Sequence, residues 1–380
     1  MKQRTQLTNG HFLFYGLLTV LLGLCVIRYA LQINIPLVLL LIVSVLIASL
    51  GDRNEVVTLC ICMVPLVTSV QHNYVLMCCI ILFLLKFKRD IHITLVFLPV
   101  LGMILWELLH CYGGPFSPVS FVCNFLPQLL LLVLMCSGDT GYDYDFVVRT
   151  FAVCVAGVCL QLLTRVLYTA NFNISAALLG LQRLGLDAEK VSNITITGGQ
   201  QNPNTLGIQC VLAITGLVQM RFAGRKHLCD TMLLLLLLIF GALTSSRTYI
   251  VCLVTMAILF VLCRRDGLLA KLKLLGGITL ALLVMVLTLY TMFPDLLEYY
   301  INRFLVEDIT TGRDKLMIVY NDFILSQPSV LLFGIGLQNF GDRLIEYYRV
   351  AENVPHNSIQ ELVIAWGLPG VFLFAALILQ

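Results

Sequence analysis

Charge is what this sequence has least of. Of 380 residues only 12% are Asp, Glu, Lys or Arg, against about 25% in ordinary soluble domains. Basic and acidic residues nearly balance, 24 against 21, for a formal net charge of +3. No block of like charge is long enough to make a basic arm or an acidic tail, which excludes a nucleic-acid-binding surface and a disordered charged tail. No internal repeat is visible, and no small-residue cleavage site follows the first apolar run, so that run reads as a retained span and not as a signal peptide. Histidine is missing from ligand spacing around Cys60-x-Cys62 and Cys78-Cys79. All fourteen cysteines, counted as Cys 14, fall in or beside apolar runs, so buried thiols are expected, with neither zinc nor a disulfide framework.

What the chain has in excess is apolar side chains, 59% of the total, where about 45–50% is usual. A membrane-crossing helix needs about 20 mostly apolar residues, so this supply suffices for about eleven or twelve spans. Apolar runs bounded by charge or turn residues are found at 12–27, 33–50, 56–70, 75–85, 91–111, 119–137, 146–169, 205–220, 228–243, 248–263, 274–293 and 359–379. The expected fold is an all-α polytopic integral membrane protein.

With the N-terminus in the cytoplasm, the short inner loops collect the basic residues from Lys2 and Arg4 through Arg53, Lys86, Lys88, Arg89, Arg221, Arg225 and Lys226 to Lys271 and Lys273. The short outer loops collect only Arg28 and Arg247. That asymmetry is the positive-inside rule, and it sets the expected orientation. The chain then divides into an N-terminal bundle (1–169), an external loop (170–204), a second set of spans (205–293), a large external loop (294–358) and a final span (359–380). The large loop runs to about 65 residues, well beyond the roughly 15 above which loops are functional or disordered, and its aromatic and branched residues argue against disorder.

The polar chemistry gathers in these outer segments. Thr311-Gly312-Arg313-Asp314 precedes the apolar stretch Leu316–Leu325 in the manner of a helix start. Arg313 then projects from a first turn whose free N–H groups favour phosphate, although a surface arginine paired with Asp308 or Asp314 fits the same residues. Gly334-Ile335-Gly336 lacks the strand–helix surroundings of a dinucleotide site and reads as a turn that lets backbone approach something closely. His356 lies between Pro355 and a helix start at Ser358-Ile359-Gln360-Glu361, read as a capping box, and is a side chain able to accept a proton near neutral pH. A lone loop histidine is as readily a plain surface residue.

Arg247, in Ser245-Ser246-Arg247, separates two apolar runs. It belongs at the outer interface or in a polar cavity, because arginine at a bilayer centre costs about 2.5–3.5 kcal/mol. Arg165, and the Glu107/His110 pair one turn apart, are second-rank candidates for such a cavity, or else structural ion or hydrogen-bonded pairs. Asn202-Pro203-Asn204 closes an amide-rich stretch suited to hydroxyl-rich ligands and equally to turns. Asp143-Tyr144-Asp145 looks like a metal–nucleotide-sugar signature but falls on the inner side, and is read as a solvated loop.

Taken in order, Asn202-Pro203-Asn204, Ser245-Ser246-Arg247, Gly312-Arg313, Gly334-Ile335-Gly336 with Phe340, and His356-Asn357 before Trp366-Gly367-Leu368-Pro369-Gly370 resemble the bacterial O-antigen polymerase and O-antigen ligase superfamily. The resemblance covers roughly residues 195–375. It implies the architecture of lipid-sugar-using (GT-C-like) membrane glycosyltransferases, with a large helical loop before the last span, in the bacterial cytoplasmic membrane. It further implies a metal-independent, inverting transfer at the outer face, with no cofactor. The donor would be a glycan on a polyprenyl diphosphate, and the acceptor a glycan or lipid-linked molecule. Membrane lipids and a chain-length regulator complete the expected partners, without nucleic acid. Arg247 and Arg313 would clamp the diphosphate, His356 would orient or deprotonate the acceptor hydroxyl, and Arg165, Asn202, Asn204 and Asn357 would bind diphosphate or sugar. A tryptophan common after the loop arginine is absent, with Met317 near its place.

The first reading is therefore a polymerase of O-antigen, capsule or exopolysaccharide repeat units carried on undecaprenyl diphosphate. Its nearest rival is a ligase that transfers finished glycan to lipid A core or another acceptor. A flippase for lipid-linked sugars is the rival of another class, weakened because polar residues gather at one face and the halves show no paired broken helices.

Overall fold

A computed structural model describes residues 11–31, 33–66, 70–87, 94–111, 121–127, 129–130, 143–169, 171–172, 184–185, 202–225, 227–263, 313–337 and 357–379, with isolated positions at 118, 267, 269, 271, 273, 276, 287, 290, 291, 298, 301, 302, 344 and 345. Helix dominates these residues, and no strand occurs among them. In chain order the helices are α1 (Phe12–Cys25, prolonged by a π-turn Val26–Ala30), α2 (Leu37–Leu50), α3 (Arg53–Leu66), α4 (Val70–Lys86) and α5 (Phe97–Cys111). A π-turn at Phe121–Phe125 follows, then α6 (Tyr144–Thr169), α7 (Pro203–Phe222), α8 (Leu228–Leu243), α9 (Arg247–Cys263), α10 (Arg313–Ser326), α11 (Pro328–Phe333) and α12 (Ser358–Leu379). Each fully described helix of the bundle overlies an apolar run of the sequence. The runs at 119–137 and 274–293 lie only partly within the described residues.

Among the described residues, four helices are long and apolar enough to cross a bilayer: Phe12–Ala30, Tyr144–Tyr168, Pro203–Phe222 and Ser358–Leu379. Shorter apolar helices such as Leu37–Leu50, Phe97–His110 and Leu228–Leu243 accompany them. Large apolar side chains stand exposed on their outer faces, including Phe12, Leu236, Ile239, Val251, Phe372 and Ile378. Water would penalise such a surface and lipid does not. The chain is an all-α polytopic membrane protein.

Two compact units are present, one made of Met1–Leu82 with Asp143–Val306 and the other of Phe83–Tyr142 with Glu307–Gln380. In the first, α6 packs on α3, α7 and α8, while α9 packs on α7. Polar side chains at one end of this unit start and tie its helices. Asp52 and Glu55 form a reciprocal capping box on α3, Glu55 N donating to Asp52 Oδ1 (2.9 Å) and Asp52 N to Glu55 Oε2 (2.8 Å). Glu55 also holds His11 Nδ1 at 2.8 Å, and the imidazole stacks on Phe146 with centroids 4.3 Å apart. Asp143 caps α6 by accepting from Asp145 N (3.1 Å) and Phe146 N (3.2 Å), and Asp145 pairs with Arg225. The aspartates of Asp143-Tyr144-Asp145 therefore serve as a helix cap and an ion-pair partner.

In the second unit, α12 packs on α5, α10 and α11. Its core contains Val100, Met103, Phe121, Phe125, Tyr320, Phe323, Ile364 and Trp366. Ten cysteines whose side chains are described are free thiols, seven of them buried, with Cys78 and Cys252 half-buried and Cys229 exposed.

A bidentate pair fastens α6 to α8: Arg149 Nε donates to Asp230 at 3.0 Å and Nη2 at 3.1 Å. Both side chains are partly buried. Reversing one charge sets like charges together, whereas reversing both restores attraction. Arg149→Asp is expected to lower stability by about 1–3 kcal/mol, read as a fall in melting temperature in detergent. The double variant Arg149→Asp/Asp230→Arg is expected to recover most of that fall.

Candidate functional site

The second unit holds its polar residues around a break in α12. Gly367 takes φ +65° and ψ −164° inside the helix, and Pro369, without an N–H, follows it. Carbonyls before such a break lose their helical donors, and inside a membrane each orphan costs several kcal/mol unless a neighbour supplies an N–H. Three consecutive carbonyls are met from outside the helix. Ile364 O accepts from Ile335 N (2.9 Å), Ala365 O from Gly336 N (2.7 Å) and Trp366 O from Trp106 Nε1 (2.9 Å).

The turn Gly334-Ile335-Gly336 thus lies backbone to backbone against the break, which is the close approach its sequence implies. Gly334 has φ +78°, and a Cβ there would come within 2.4 Å of Ala365 O. A Cβ on Gly367 would in turn come within 2.7 Å of Leu332 C and O.

Helix α5 completes the arrangement. Glu107 is fully buried, at 0% exposure. Its carboxylate accepts from Leu337 N at 3.1 and 3.0 Å and from Trp366 Nε1 at 2.6 Å. His110 stands between two carbonyls, its Nδ1 2.8 Å from Trp106 O and its Nε2 2.7 Å from Phe333 O. Both oxygens can only accept, so the ring makes both bonds when it carries both protons. In these bonds Glu107 and His110 meet different partners, Leu337 and Trp366 for the one and Trp106 and Phe333 for the other. Sequence spacing ranked them second; the signal that deserved more weight was a carboxylate alone in an apolar span.

Arg313 lies in α10, while Thr311 and Gly312, where the sequence places the start of that helix, lie outside the described residues. That helix is tied to α12 by Gln360, whose Nε2 donates to Met317 O (2.9 Å) and Asn321 Oδ1 (2.7 Å). The cap of α12 is Asn357, one residue before the expected Ser358: its Oδ1 accepts from Ile359 N at 3.0 Å. An asparagine is as good a cap as serine and was already in place. His356, Thr311, Gly312 and Phe340 lie outside the described residues.

In the first unit, two helix N-termini meet. Asn202 caps α7, its Oδ1 accepting from Asn204 N at 2.9 Å. Ser246 caps α9, its Oγ accepting from Tyr249 N at 3.2 Å while its hydroxyl donates to Asn204 Oδ1 at 2.9 Å. Thr244, Ser245 and Ser246 are buried, and Arg247 is the half-buried first residue of α9. Arg165 is 6% exposed near the end of α6. Helices α6 and α7 run antiparallel, with Val148 against Gly216 and Cys159 against Cys210. That register carries Arg165, beyond Cys159, toward the start of α7. The structure accordingly gathers Asn202, Asn204, Arg247 and Arg165 at one end of the first unit, and Arg313 and Asn357 in the second. Gly198 through Gln201 lie outside the described residues.

The close backbone contact is testable. Gly334→Ala loses the left-handed conformation, a cost of about 1–2 kcal/mol, and drives its methyl into Ala365 O. A clear drop in melting temperature, with faster proteolysis of the 313–357 region, is expected. A substitution tolerated without change would contradict the docking of turn on break.

Residues 232–375 match the family described as O-Antigen ligase. No curated protein and no solved structure matches the chain. The matched segment contains Arg247, Arg313, the Gly334 turn, His356 and the break in the last helix, and over those residues the chain is similar to the O-antigen ligase family.

Proposed function

We propose that the protein polymerises surface-polysaccharide repeat units carried on undecaprenyl diphosphate, at the outer face of the cytoplasmic membrane. One observation carries the reading beyond the family match: Arg247 is the half-buried first residue of α9, where two helix N-termini meet. The positive end of a helix dipole disfavours a cation by about 0.3–1 kcal/mol and favours an anion to the same extent. An arginine in that place suits a site whose usual occupant is strongly negative, as a diphosphate is.

In the reaction, an acceptor hydroxyl attacks the anomeric carbon of the donor. The bond to the diphosphate oxygen breaks, its electron pair leaves with the diphosphate, and the configuration inverts. Arg247 and Arg313 stabilise the charge that grows on the leaving group, an effect largest where water is scarce. His356 takes the hydroxyl proton, which contributes about 10²–10⁴-fold. Arg165 and the amides of Asn202, Asn204 and Asn357 contact diphosphate or sugar. No metal and no cofactor is needed, because guanidinium groups supply the positive charge. A ligase uses the same residues on the same donor and differs in its acceptor, which the family's description keeps in view.

Purified protein in lipid, given a polyprenyl-diphosphate oligosaccharide, is expected to elongate the glycan with or without a chelator. Arg247→Ala, Arg313→Ala and His356→Ala are each expected to lose at least about 100-fold in rate while staying folded. Transfer only to a lipid A core acceptor would establish the ligase instead, and undiminished transfer by the variants would overturn the residue assignment.

Orientation has its own test. Cys229 is exposed at the start of α8, and the inner-side assignment of the adjoining basic loop puts it in the cytoplasm. An impermeant maleimide is expected to add a label in inside-out vesicles that Cys229→Ser removes, and no such label in right-side-out cells.

A further inference from the structure

We infer that Tyr249 is a positioning residue for transfer, acting through Arg247 by fixing how the first turn of α9 is set against α7 and α8. The inference rests on the proposed function, in which Arg247 meets the departing diphosphate. Tyr249 lies two residues beyond Arg247, is 3% exposed and touches both α7 and α8. On the α8 side its ring occupies the space that a side chain at Gly241 would take: a Cβ there would come within 2.2 Å of Tyr249 Cε2 and 2.4 Å of Cζ. From that notch the phenol donates to Leu238 O at 3.2 Å. On the α7 side, a Cβ on Gly207 would come within 2.9 Å of Tyr249 Cβ. The backbone N–H of Tyr249 donates to Ser246 Oγ at 3.2 Å, and that hydroxyl in turn donates to Asn204 Oδ1 at the start of α7 (2.9 Å).

Packing alone does not ask for this arrangement. A glycine inside a helix costs stability relative to alanine, and at Gly241 the room it leaves is filled by one ring. Phenylalanine would fill the notch as well. The hydroxyl adds a bond with direction, and within a membrane it has to find a partner. On the other side of Arg247, Ser245 takes φ +46° while buried, a left-handed conformation that is unfavourable for a residue with a Cβ. Such a conformation persists where the surroundings over-determine it. Here the Thr244 hydroxyl donates to Gly241 O (2.6 Å) and Ser245 N to Ala242 O (2.9 Å). Arg247 therefore leaves the chain between two fixed points, the Ser245 turn and the Tyr249 notch, both anchored on α8. A small rotation of the turn is magnified at the end of a long side chain, and misplacement of a reacting group by about 1 Å can cost about 100-fold. A preorganised cation acts on charge as it develops, so the loss falls on kcat more than on donor KM.

The experiment compares Tyr249→Phe, which removes the phenol bond and keeps the ring, with Gly241→Ala, which drives a methyl into the ring. Each is made in the full chain in lipid, alone and combined with Arg247→Ala. Melting temperature is recorded, with initial rates over a range of polyprenyl-diphosphate oligosaccharide. The expected kcat falls about 3–10-fold in Tyr249→Phe and about 10–100-fold in Gly241→Ala, with donor KM within about threefold of wild type. In the Arg247→Ala background neither change is expected to lower kcat by more than about twofold further, because the group they position is gone. A role confined to stability would lower the rate by the same factor in both backgrounds.

A kcat loss that persists in full without Arg247 would overturn the positioning role. So would an unchanged kcat in folded Gly241→Ala, or in Tyr249→Phe should Gly241→Ala fail to fold. Undiminished transfer by Arg247→Ala would remove the residue through which Tyr249 acts, and the inference with it. A wild type that transfers nothing from a competent donor would overturn the proposed function itself, and does so before any variant is compared.

Discussion

A break inside a membrane helix has to be answered by hydrogen bonds from elsewhere, and much of the second unit is arranged to answer one. Gly367 and Pro369 interrupt α12, and the carbonyls of Ile364, Ala365 and Trp366 are taken up by Ile335 N, Gly336 N and the Trp106 indole. In lipid no water can substitute, so these N–H groups must come from the turn and the indole packed against the break. The requirement explains both glycines of the contact. Backbones that share hydrogen bonds at 2.7–2.9 Å leave no room for a Cβ between them. It explains α11 as well, a single short helix from Pro328 to Phe333 that delivers the turn at the right height.

The first unit solves a different problem. It brings the N-termini of α7 and α9 together through the hydrogen bond from Ser246 to Asn204, although the positive ends of two helices repel. Around the junction Asn202 Oδ1 and Ser246 Oγ accept from first-turn N–H groups, the Thr244 hydroxyl donates to Gly241 O, and Ser245 is buried beside them.

The helices were legible because lipid-exposed and core faces are both apolar, so a span announces itself by length alone. The start of α12 was legible to within one residue, its cap falling on Asn357 and not on Ser358, since Asn and Ser cap by the same bond. Gly334-Ile335-Gly336 was legible as a close approach, but its partner was not: nothing local says that the approaching surface is Ala365. Glu107 was underrated for the same reason. Its neighbour at helical spacing, His110, suggested a local pair, while its real donors are 230 and 259 residues away. Periodicity reports which face of a helix is buried and is silent about what a buried polar group meets there. Such groups can be flagged from sequence, and their partners need coordinates.

The short motifs of the second half thus divide into two kinds of residue. Ser246, the Gly334 turn and Trp366-Gly367 are taken up by backbone satisfaction, which a membrane demands of any chain that bends there. Arg247 is of the second kind: as the half-buried first residue of α9, directly after the Ser246 cap, it sets a guanidinium against the positive end of the helix dipole, which no backbone demand explains.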